Sequence, residues 1–487
     1  MVAELGTNTR VLVAGLGVTG SAVVAALESL PIAQRPRSII SLDGANPAAT
    51  LKDPAQVDLV QVDLIVVSPG WRPDTPLLVS AAQHGVEVIS EIELAWRLRV
   101  PTTATGAPAP WLGVTGTNGK TTTVSMLGEM LSADSKRAAV VGNVGTPAII
   151  AALDPALDFV VLELSSFQLH FTYSVSLAAG AVLNLAPDHL DWHGSFANYA
   201  ADKARIFAAA QIACIYNVQD EATMDMVAQA DVLEGARAVG FTLGAPERGQ
   251  FGLIEDVLVD RAFHLPLDTP GRHTQAAEVG TLGDLAHLSP AGHPVAPHTV
   301  ANALAAAALA RAAGVRTRSV RDGLRNYRPG AHRMALVGQL ATLGEPISFF
   351  DDSKATNAHA AGAALESFDS SRVVWIVGGL TKGADLSELV RTQADKLRAA
   401  VVIGVDQGPV LAALAQHAPT ITMSQIVPEP SETVMARAVA AAVAAAQPGD
   451  AVLLAPACAS MDQFASYGER GDQFAAAVRE VLELPRD

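Results

Sequence analysis

The chain has 487 residues, half of them hydrophobic and 17% charged, with a net charge of -16. At about 150 residues per domain, that length predicts about three domains, each able to bury a core; the apolar share excludes a disordered chain, and the charge disfavours a broad nucleic-acid-binding surface, so no nucleic acid partner is expected. The only cysteines, Cys214 and Cys458, exclude a disulfide framework and a cysteine-rich metal site and predict a cytoplasmic setting, and no stretch is long and apolar enough to predict membrane insertion.

Arg10-Val-Leu-Val-Ala-Gly15-Leu-Gly17-Val18-Thr19-Gly20 predicts an apolar strand, a glycine turn and a helix through Leu27. The uncharged run behind Arg10 has the outline of a signal peptide, but its three glycines favour strand–turn–helix. A second strand, Ser38–Leu42, ends at Asp43, giving the outline of a dinucleotide-binding unit. No nicotinamide-partner motif accompanies it, so the turn is read as a site for a diphosphate-containing ligand of unspecified type. Asp63-Leu-Ile-Val-Val-Ser68-Pro-Gly70 is another buried strand, placing Ser68 and the N–H of Gly70 at the carboxyl end of the sheet, where open α/β folds bind ligands. Val100–Pro110 has linker composition and sets the first domain boundary, between 1–105 and 106–329.

Trp111–Thr123 predicts a short buried strand, a tight turn and a helix that runs on through Leu131. Gly116 and Gly119 let successive N–H groups converge at the positive end of that helix, which suits a polyphosphate. The full phosphate-loop pattern would need glycine at 114, where Val114 stands; what remains is Gly116-Thr117-Asn118-Gly119-Lys120-Thr121-Thr122. Lys120 is expected to reach the terminal phosphates and the Thr121 hydroxyl a magnesium ion. Downstream, Val140–Gly145 is a strand and turn carrying Asn143, and Asp158–Glu163 is an apolar strand that delivers a carboxylate at its end. Beside a phosphate loop, such a residue is the usual second anchor for nucleotide-bound magnesium.

The strand Ala179–Asn184 leads into Asp188-His189-Leu-Asp-Trp-His193. Both histidines are candidate metal ligands, and spacing does not choose between them. Tyr199, Lys203 and Phe207 share one helix face, and side-chain chemistry alone sends Lys203 out to solvent. Residues 243–296 read as surface strands and loops, and the irregular spacing of His264, His273, His287, His293 and His298 argues against a metal site there. His298–Ala310 is an alanine-rich helix with Thr299 as its cap. Arg328-Pro-Gly-Ala-His332-Arg333 breaks the chain at the second boundary, leaving 330–487 as the last domain.

Four runs, G-T-N-G-K-T-T at 116–122, G-N-V-G at 142–145, E-L-S-S-F-Q-L at 163–169 and N-L-A-P-D-H-L-D-W-H-G at 184–194, together resemble the Mur ligases. Asp351–Asn357, Gly378–Asp385 and Pro456–Phe464 resemble the D-glutamate-adding branch of that family, and the matched motifs run in order from residue 15 to residue 474. The resemblance implies an α/β fold of three domains: an N-terminal Rossmann-like UDP-binding domain, a central phosphate-loop ATP-binding domain and a C-terminal Rossmann-like amino-acid-binding domain. It implies an ATP-dependent amide ligase that joins D-glutamate to UDP-MurNAc-L-Ala through an acyl phosphate, with domain closure excluding water. A monomer is expected.

The resemblance also implies site residues. One magnesium ion sits on Thr121 and Glu163, and a second on His189 and a carbamylated Lys203. The UDP-sugar is met by Gly17, Val18, Thr19, Asp43, Ser68 and Gly70, with Asn143 and His189 near its muramoyl-alanine end. Asn302 reads the adenine, Arg333 the nucleotide and Asp352 the ribose, and Lys354 assists at the acyl phosphate. Thr356, Lys382 and Ser460 hold D-glutamate, with the ring of Tyr467 where the family often has phenylalanine. Gly44-Ala45-Asn46 departs from the hydroxyl and arginine that the family places near the uridine. The D-S-K-A-T-N and A-C-A-S-M-D-Q-F segments argue against a relative using another amino acid or a folate. A nucleotide-binding sensor or dinucleotide oxidoreductase built on Gly15-Leu-Gly17 would release phosphate without dependence on any amino acid.

Overall fold

The computed structural model describes residues 5–143, 145–289 and 294–483; His293 and Val144 lie outside them. Three sheets carry the fold. The first holds β1 (Arg10–Ala14), β2 (Ser38–Leu42), β3 (Leu64–Val67) and β4 (Glu87–Ser90), all parallel, in the order β2-β1-β3-β4. Alternation along β1 sends Val11 and Val13 into one buried cluster and Leu12 and Ala14 into another, as a parallel strand covered on both faces requires.

The second sheet comprises β5 (Trp111–Thr115), β6 (Ala138–Gly142), β7 (Phe159–Glu163), β8 (Ala179–Val182), β9 (Ala213–Asn217), β10 (Arg237–Phe241), β11 (Gln250–Ile254), β12 (Val257–Asp260) and β13 (Ala277–Thr281). Their order is β13-β12-β11-β10-β9-β8-β5-β7-β6. The core from β11 to β6 is parallel, while β12 and β13 add an antiparallel edge built from the stretch read as surface strands and loops.

The third sheet has β14 (Ala335–Leu340), β15 (Ile347–Asp351), β16 (Val373–Gly378), β17 (Leu397–Ile403), β18 (Thr422–Gln425) and β19 (Ala451–Leu454), in the order β14-β15-β19-β16-β17-β18. Only β14 runs antiparallel to its neighbour. On β16, Val373, Trp375 and Val377 enter one cluster and Val374 and Ile376 the other.

These sheets fall into two compact units: Met1–Leu285 with Thr299–Tyr327, and Ala286–His298 with Arg328–Asp487. The first unit therefore contains the first two sheets. A short helix, Glu91–Arg97, explains why. It follows β4 directly, and the Ser90 hydroxyl caps it by accepting the Glu93 N–H at 3.2 Å. Glu91 accepts the Ile149 N–H at 2.6 Å, and Glu93 accepts the Tyr173 and Ser174 N–H groups at 2.8 and 2.9 Å. Both carboxylates are buried, and Arg97 closes on Glu93. Losing one partner of a hydrogen bond to a charged group, as at Glu93, costs about 1.5–3 kcal/mol, so the first two sheets are fastened together. The linker is also tied down: the Val100 N–H donates to the Ala152 carbonyl at 3.1 Å and the Thr103 N–H to that of Pro155 at 2.9 Å.

One local reading is corrected. The alanine-rich helix spans Pro297–Ala312, so Thr299 lies within its first turn and is not its cap. Proline suits that first position because it has no N–H to leave unsatisfied.

Candidate active site

The phosphate loop leaves β5, whose five residues are all buried, and enters the helix Lys120–Ala133. Gly119 is the turning point: its φ is +84°, and a Cβ there would lie 2.3 Å from the Asn302 Oδ1. Only glycine takes that conformation against the Asn302 side chain without strain. The loop is held by the segment after β8. The Thr117 N–H donates to the Asn184 carbonyl at 3.1 Å, the Asn118 N–H to the Asn184 Oδ1 at 2.9 Å, and the Ala186 N–H to the Thr117 hydroxyl at 2.9 Å. Lys120 Nζ donates to the Gly116 and Thr117 carbonyls, each at 2.9 Å. Thr122 is half-buried at the helix start.

Three neighbouring strands then deliver one cluster. In register, Val114 of β5 and Gly142 of β6 both pair with Glu163 of β7. Glu163 is 2% exposed. Its Oε2 accepts the Thr121 hydroxyl at 2.7 Å and its Oε1 the Asn143 amide at 2.8 Å. A hydroxyl and a carboxylate beside a phosphate loop form the hard-oxygen donor set that suits magnesium, which takes one or two protein oxygens and finds its other ligands on phosphates and water.

Lys203 corrects the solvent-facing reading. It lies on the helix Phe196–Ala204, is 2% exposed, and its Nζ donates to the Gly116 carbonyl at 2.8 Å and the Thr115 hydroxyl at 3.2 Å. Burial pushes its ammonium well below the ordinary value, the charge of Lys120 adds to this, and Asp188 and Glu163 oppose it. The signal was present in the sequence: Tyr199 and Phe207 share its face, and both are buried. A face with two large aromatics is core, and the lysine goes with it.

The two histidines separate by environment. His193 is buried with both ring nitrogens engaged, Nδ1 with Asp202 at 3.0 Å and Nε2 with the Ser166 hydroxyl at 2.9 Å. His189 has a positive φ of 52°, packs on Phe167 with ring centroids 4.8 Å apart, and sets Nε2 3.7 Å from Asp188. Sequence reasoning missed the rest of this network. Asp202 also takes His170 Nδ1 at 2.9 Å, and its carboxyl lies below the usual range because, although burial raises it, the hydrogen bonds from His170 and His193 outweigh burial. Its place beside Lys203 was the available signal.

In the first sheet, the turn residues divide. Gly17, Val18 and Gly70 are exposed and Thr19 half-buried, but Asp43 and Ser68 are engaged. Asp43 accepts the N–H groups of Leu16, Ala45 and Asn46 at 2.7, 2.8 and 3.0 Å, which hold its carboxyl below the usual range. The Ser68 hydroxyl donates to the Gly15 carbonyl at 2.9 Å. These two side chains shape the glycine turn.

In the second unit, the loops after β15, β19 and β16 leave the carboxyl ends of three adjacent parallel strands. They carry Asp352, Lys354 and Thr356; Ser460; and Lys382. Leu380 and Ala459 exchange backbone hydrogen bonds at 2.9 and 3.0 Å, and the Ala457 N–H donates to the Ala355 carbonyl at 2.9 Å, so the three loops lie side by side. Lys354 Nζ sits 3.9 Å above the centre of the Tyr467 ring. Ser460 is buried, Thr356 and Arg333 are half-buried, and Lys382 is exposed with a φ of 52°. Burial raises the Asp352 carboxyl to about 7, against the Met334 N–H at 3.2 Å and the charge of Arg333. Arg470, unnoticed in the sequence, is fully buried and clamps these loops through Ser353 Oγ, the Ser353 carbonyl and the Cys458 carbonyl at 3.0, 2.9 and 3.1 Å.

Residues 114–310 match the Mur ligase middle domain, and residues 332–458 match the glutamate ligase domain of Mur ligases. Over 482 residues the chain is 44% identical to the UDP-N-acetylmuramoylalanine--D-glutamate ligase of Bifidobacterium longum subsp. infantis, covering 98% of each. The chain belongs to the Mur ligase family. The enzyme of the same name from Streptomyces avermitilis is 48% identical over 96% of this chain and 98% of its own. Among solved structures, MurF from Acinetobacter baumannii aligns with a TM-score of 0.57 at 18% identity, over 98% of this chain and 93% of that one, a likeness of fold. The family expected from the motifs, and its α/β architecture, are borne out.

Proposed function

We propose that this protein is an ATP-dependent amide ligase that joins D-glutamate to UDP-N-acetylmuramoyl-L-alanine in peptidoglycan precursor synthesis, acting as a cytoplasmic monomer. The substrate assignment is supported by identity of 44–48% to relatives of that name across nearly the whole chain. The observation that carries the chemistry is the Thr121–Glu163–Asn143 cluster against a phosphate loop, with the buried Lys203 beside it.

A carboxylate is a poor electrophile at neutral pH. One of its oxygens therefore attacks the γ-phosphorus of ATP, the bond to the β,γ-bridging oxygen breaks, and ADP leaves. The D-glutamate nitrogen then attacks the acyl carbon, loses a proton, and phosphate departs with the original carboxylate oxygen. Such transfers need positioning and charge neutralisation more than covalent help. The loop N–H groups from Gly116 to Thr122 and the Lys120 ammonium supply these at the phosphates, and Asn302 at the adenine. Magnesium, when bound, neutralises charge developing on the transferring phosphoryl group. Thr121 and Glu163 would hold one ion.

Lys203 and His189 would hold the other. Burial and the nearby Lys120 charge disfavour the ammonium and so favour the amine; the Lys203 nitrogen can then attack carbon dioxide, forming an N–C bond as one C–O π pair moves to oxygen, and lose a proton. That turns a cation into an anionic oxygen donor. Gly17, Val18, Thr19 and Gly70 would meet the UDP group on a turn shaped by Asp43 and Ser68, with Asn143 at the alanyl end. In the second unit, Arg333 and Asp352 would serve the nucleotide and Lys354 the acyl phosphate; Thr356, Lys382, Ser460 and the Tyr467 ring would hold D-glutamate. Incubation with ATP, magnesium and UDP-MurNAc-L-Ala tests this reading: phosphate release is expected with D-glutamate and not with L-glutamate or meso-diaminopimelate. Release that needs no amino acid, or a different one, refutes it.

A further inference from the structure

Glu163, His189 and Lys203 stand on three segments that have no reason, from backbone bonding alone, to keep a fixed mutual geometry. Glu163 ends β7 and leads into the helix Ser166–His170; His189 opens the helix Leu190–His193; Lys203 lies near the end of Phe196–Ala204. One buried carboxylate joins all three. Asp202, next to Lys203, accepts His170 Nδ1 at 2.9 Å from the first segment and His193 Nδ1 at 3.0 Å from the second. Arg205, just past the end of the Asp202 helix, sets Nε 3.5 Å from the carboxylate.

The chain of bonds continues inward. With Nδ1 engaged by Asp202, the other ring nitrogen of His193, Nε2, meets the Ser166 hydroxyl at 2.9 Å. The His193 ring stacks on Phe167 at 5.6 Å and meets Tyr199 edge-on at 5.3 Å. Phe167 is the ring against which His189 packs, and the Tyr199 hydroxyl lies 3.0 Å from the Thr117 hydroxyl on the phosphate loop. A buried anion with two imidazole donors fixes ring orientation and tautomer, the task that outer hydrogen-bond partners perform around metal ligands.

We propose that Asp202 is a positioning residue for the ligase reaction: through His193 and His170 it sets the placement of Lys203 and His189 relative to Glu163 and the phosphate loop. This rests on the reading of Lys203 as a carbamate ligand. It touches no substrate, and its effect is carried by the groups it orients.

Asp202→Asn keeps the shape and one acceptor while removing the charge that holds both imidazoles. Outer-partner losses of this kind typically cost about 10- to 100-fold, and we expect that fall in kcat together with a magnesium requirement raised about tenfold, while KM for ATP and UDP-MurNAc-L-Ala stays within about threefold. The second readout is independent of turnover: after equilibration with 13C-bicarbonate, the lysine carbamate resonance of the wild-type protein is expected to weaken in the Asn variant, with an unchanged far-ultraviolet circular dichroism spectrum. An Asn variant with wild-type kcat, magnesium requirement and carbamate resonance overturns the inference alone. A wild-type protein without that resonance removes the carbamate reading, and this inference with it. If Asp202→Asn does not fold, His170→Asn decides, because it removes one donor at a half-exposed position. A kcat fall of about three- to tenfold with a weaker resonance supports the role, and no change refutes it.

Discussion

Replacing Lys203 by alanine separates what its side chain does for stability from what it does for turnover. The variant removes three buried methylenes and a nitrogen that donates to the Gly116 carbonyl and the Thr115 hydroxyl. At about 0.8 kcal/mol per buried methylene, the packing loss is about 2.4 kcal/mol. The Gly116 carbonyl is not orphaned, because Lys120 also donates to it at 2.9 Å. The fold therefore survives. Turnover suffers more: loss of one preorganised charged group at a site of developing charge costs about 10²- to 10³-fold in kcat. A side chain that is 2% exposed leaves an enclosed space when truncated, and its walls are polar at the Gly116 end, so formate or acetate can enter and restore an anionic oxygen. The assay is steady-state phosphate release with and without added short carboxylate, alongside a thermal melt. Full activity in Lys203→Ala without additive refutes the assignment of an anionic Lys203 to the reaction.

Glu163→Gln keeps the Asn143 and Thr121 contacts in outline but removes the negative charge, so kcat is expected to fall about 100-fold or more with the melting temperature nearly unchanged, read by phosphate release across a magnesium titration. Glu91, 3% exposed, has its carboxyl raised by burial to about 7, against the N–H groups of Ile149 and Ala148. Because the raised value favours the neutral form, the wild-type protein loses stability as pH rises from about 4.5 through 7, by about 3 kcal/mol at most. Glu91→Gln escapes this loss, so its melting temperature relative to wild type is expected to rise across that window and to be level below it. A flat difference across the window contradicts the buried titration. In the second unit, Arg470→Lys loses the fork that grips both Ser353 oxygens, and KM for D-glutamate is expected to rise about tenfold with KM for UDP-MurNAc-L-Ala unchanged; equal rises in both would contradict a local clamp.

The parts legible in the sequence were those written in consecutive residues. The strand, turn and helix from Trp111 to Leu131 and the carboxylate at the end of β7 follow from short runs whose chemistry and period agree, while the loops after β15, β16 and β19 follow only from their resemblance to the family's motifs. What the residues hid were contacts made across long separations. Nothing local marks Glu91 and Glu93 as the pins that join the first two sheets, since each looks like an ordinary acidic residue in a first helical turn. Asp202 reads as solvated charge until His170 and His193 are brought to it, and Arg470 as a surface arginine on an amphipathic helix. Lys203 is buried because the two aromatics on its face outweigh the snorkelling tendency of lysine. Asp43 and Ser68 have backbone partners that their position in the sequence does not disclose.

The most direct measurement uses UDP-MurNAc-L-Ala labelled with 18O in the alanyl carboxylate, with ATP, magnesium and D-glutamate, and mass spectrometry of both products. The account predicts a D-glutamyl amide and released phosphate carrying one labelled oxygen, in equal amounts. Unlabelled phosphate, or product formed as readily with another amino acid, would contradict it.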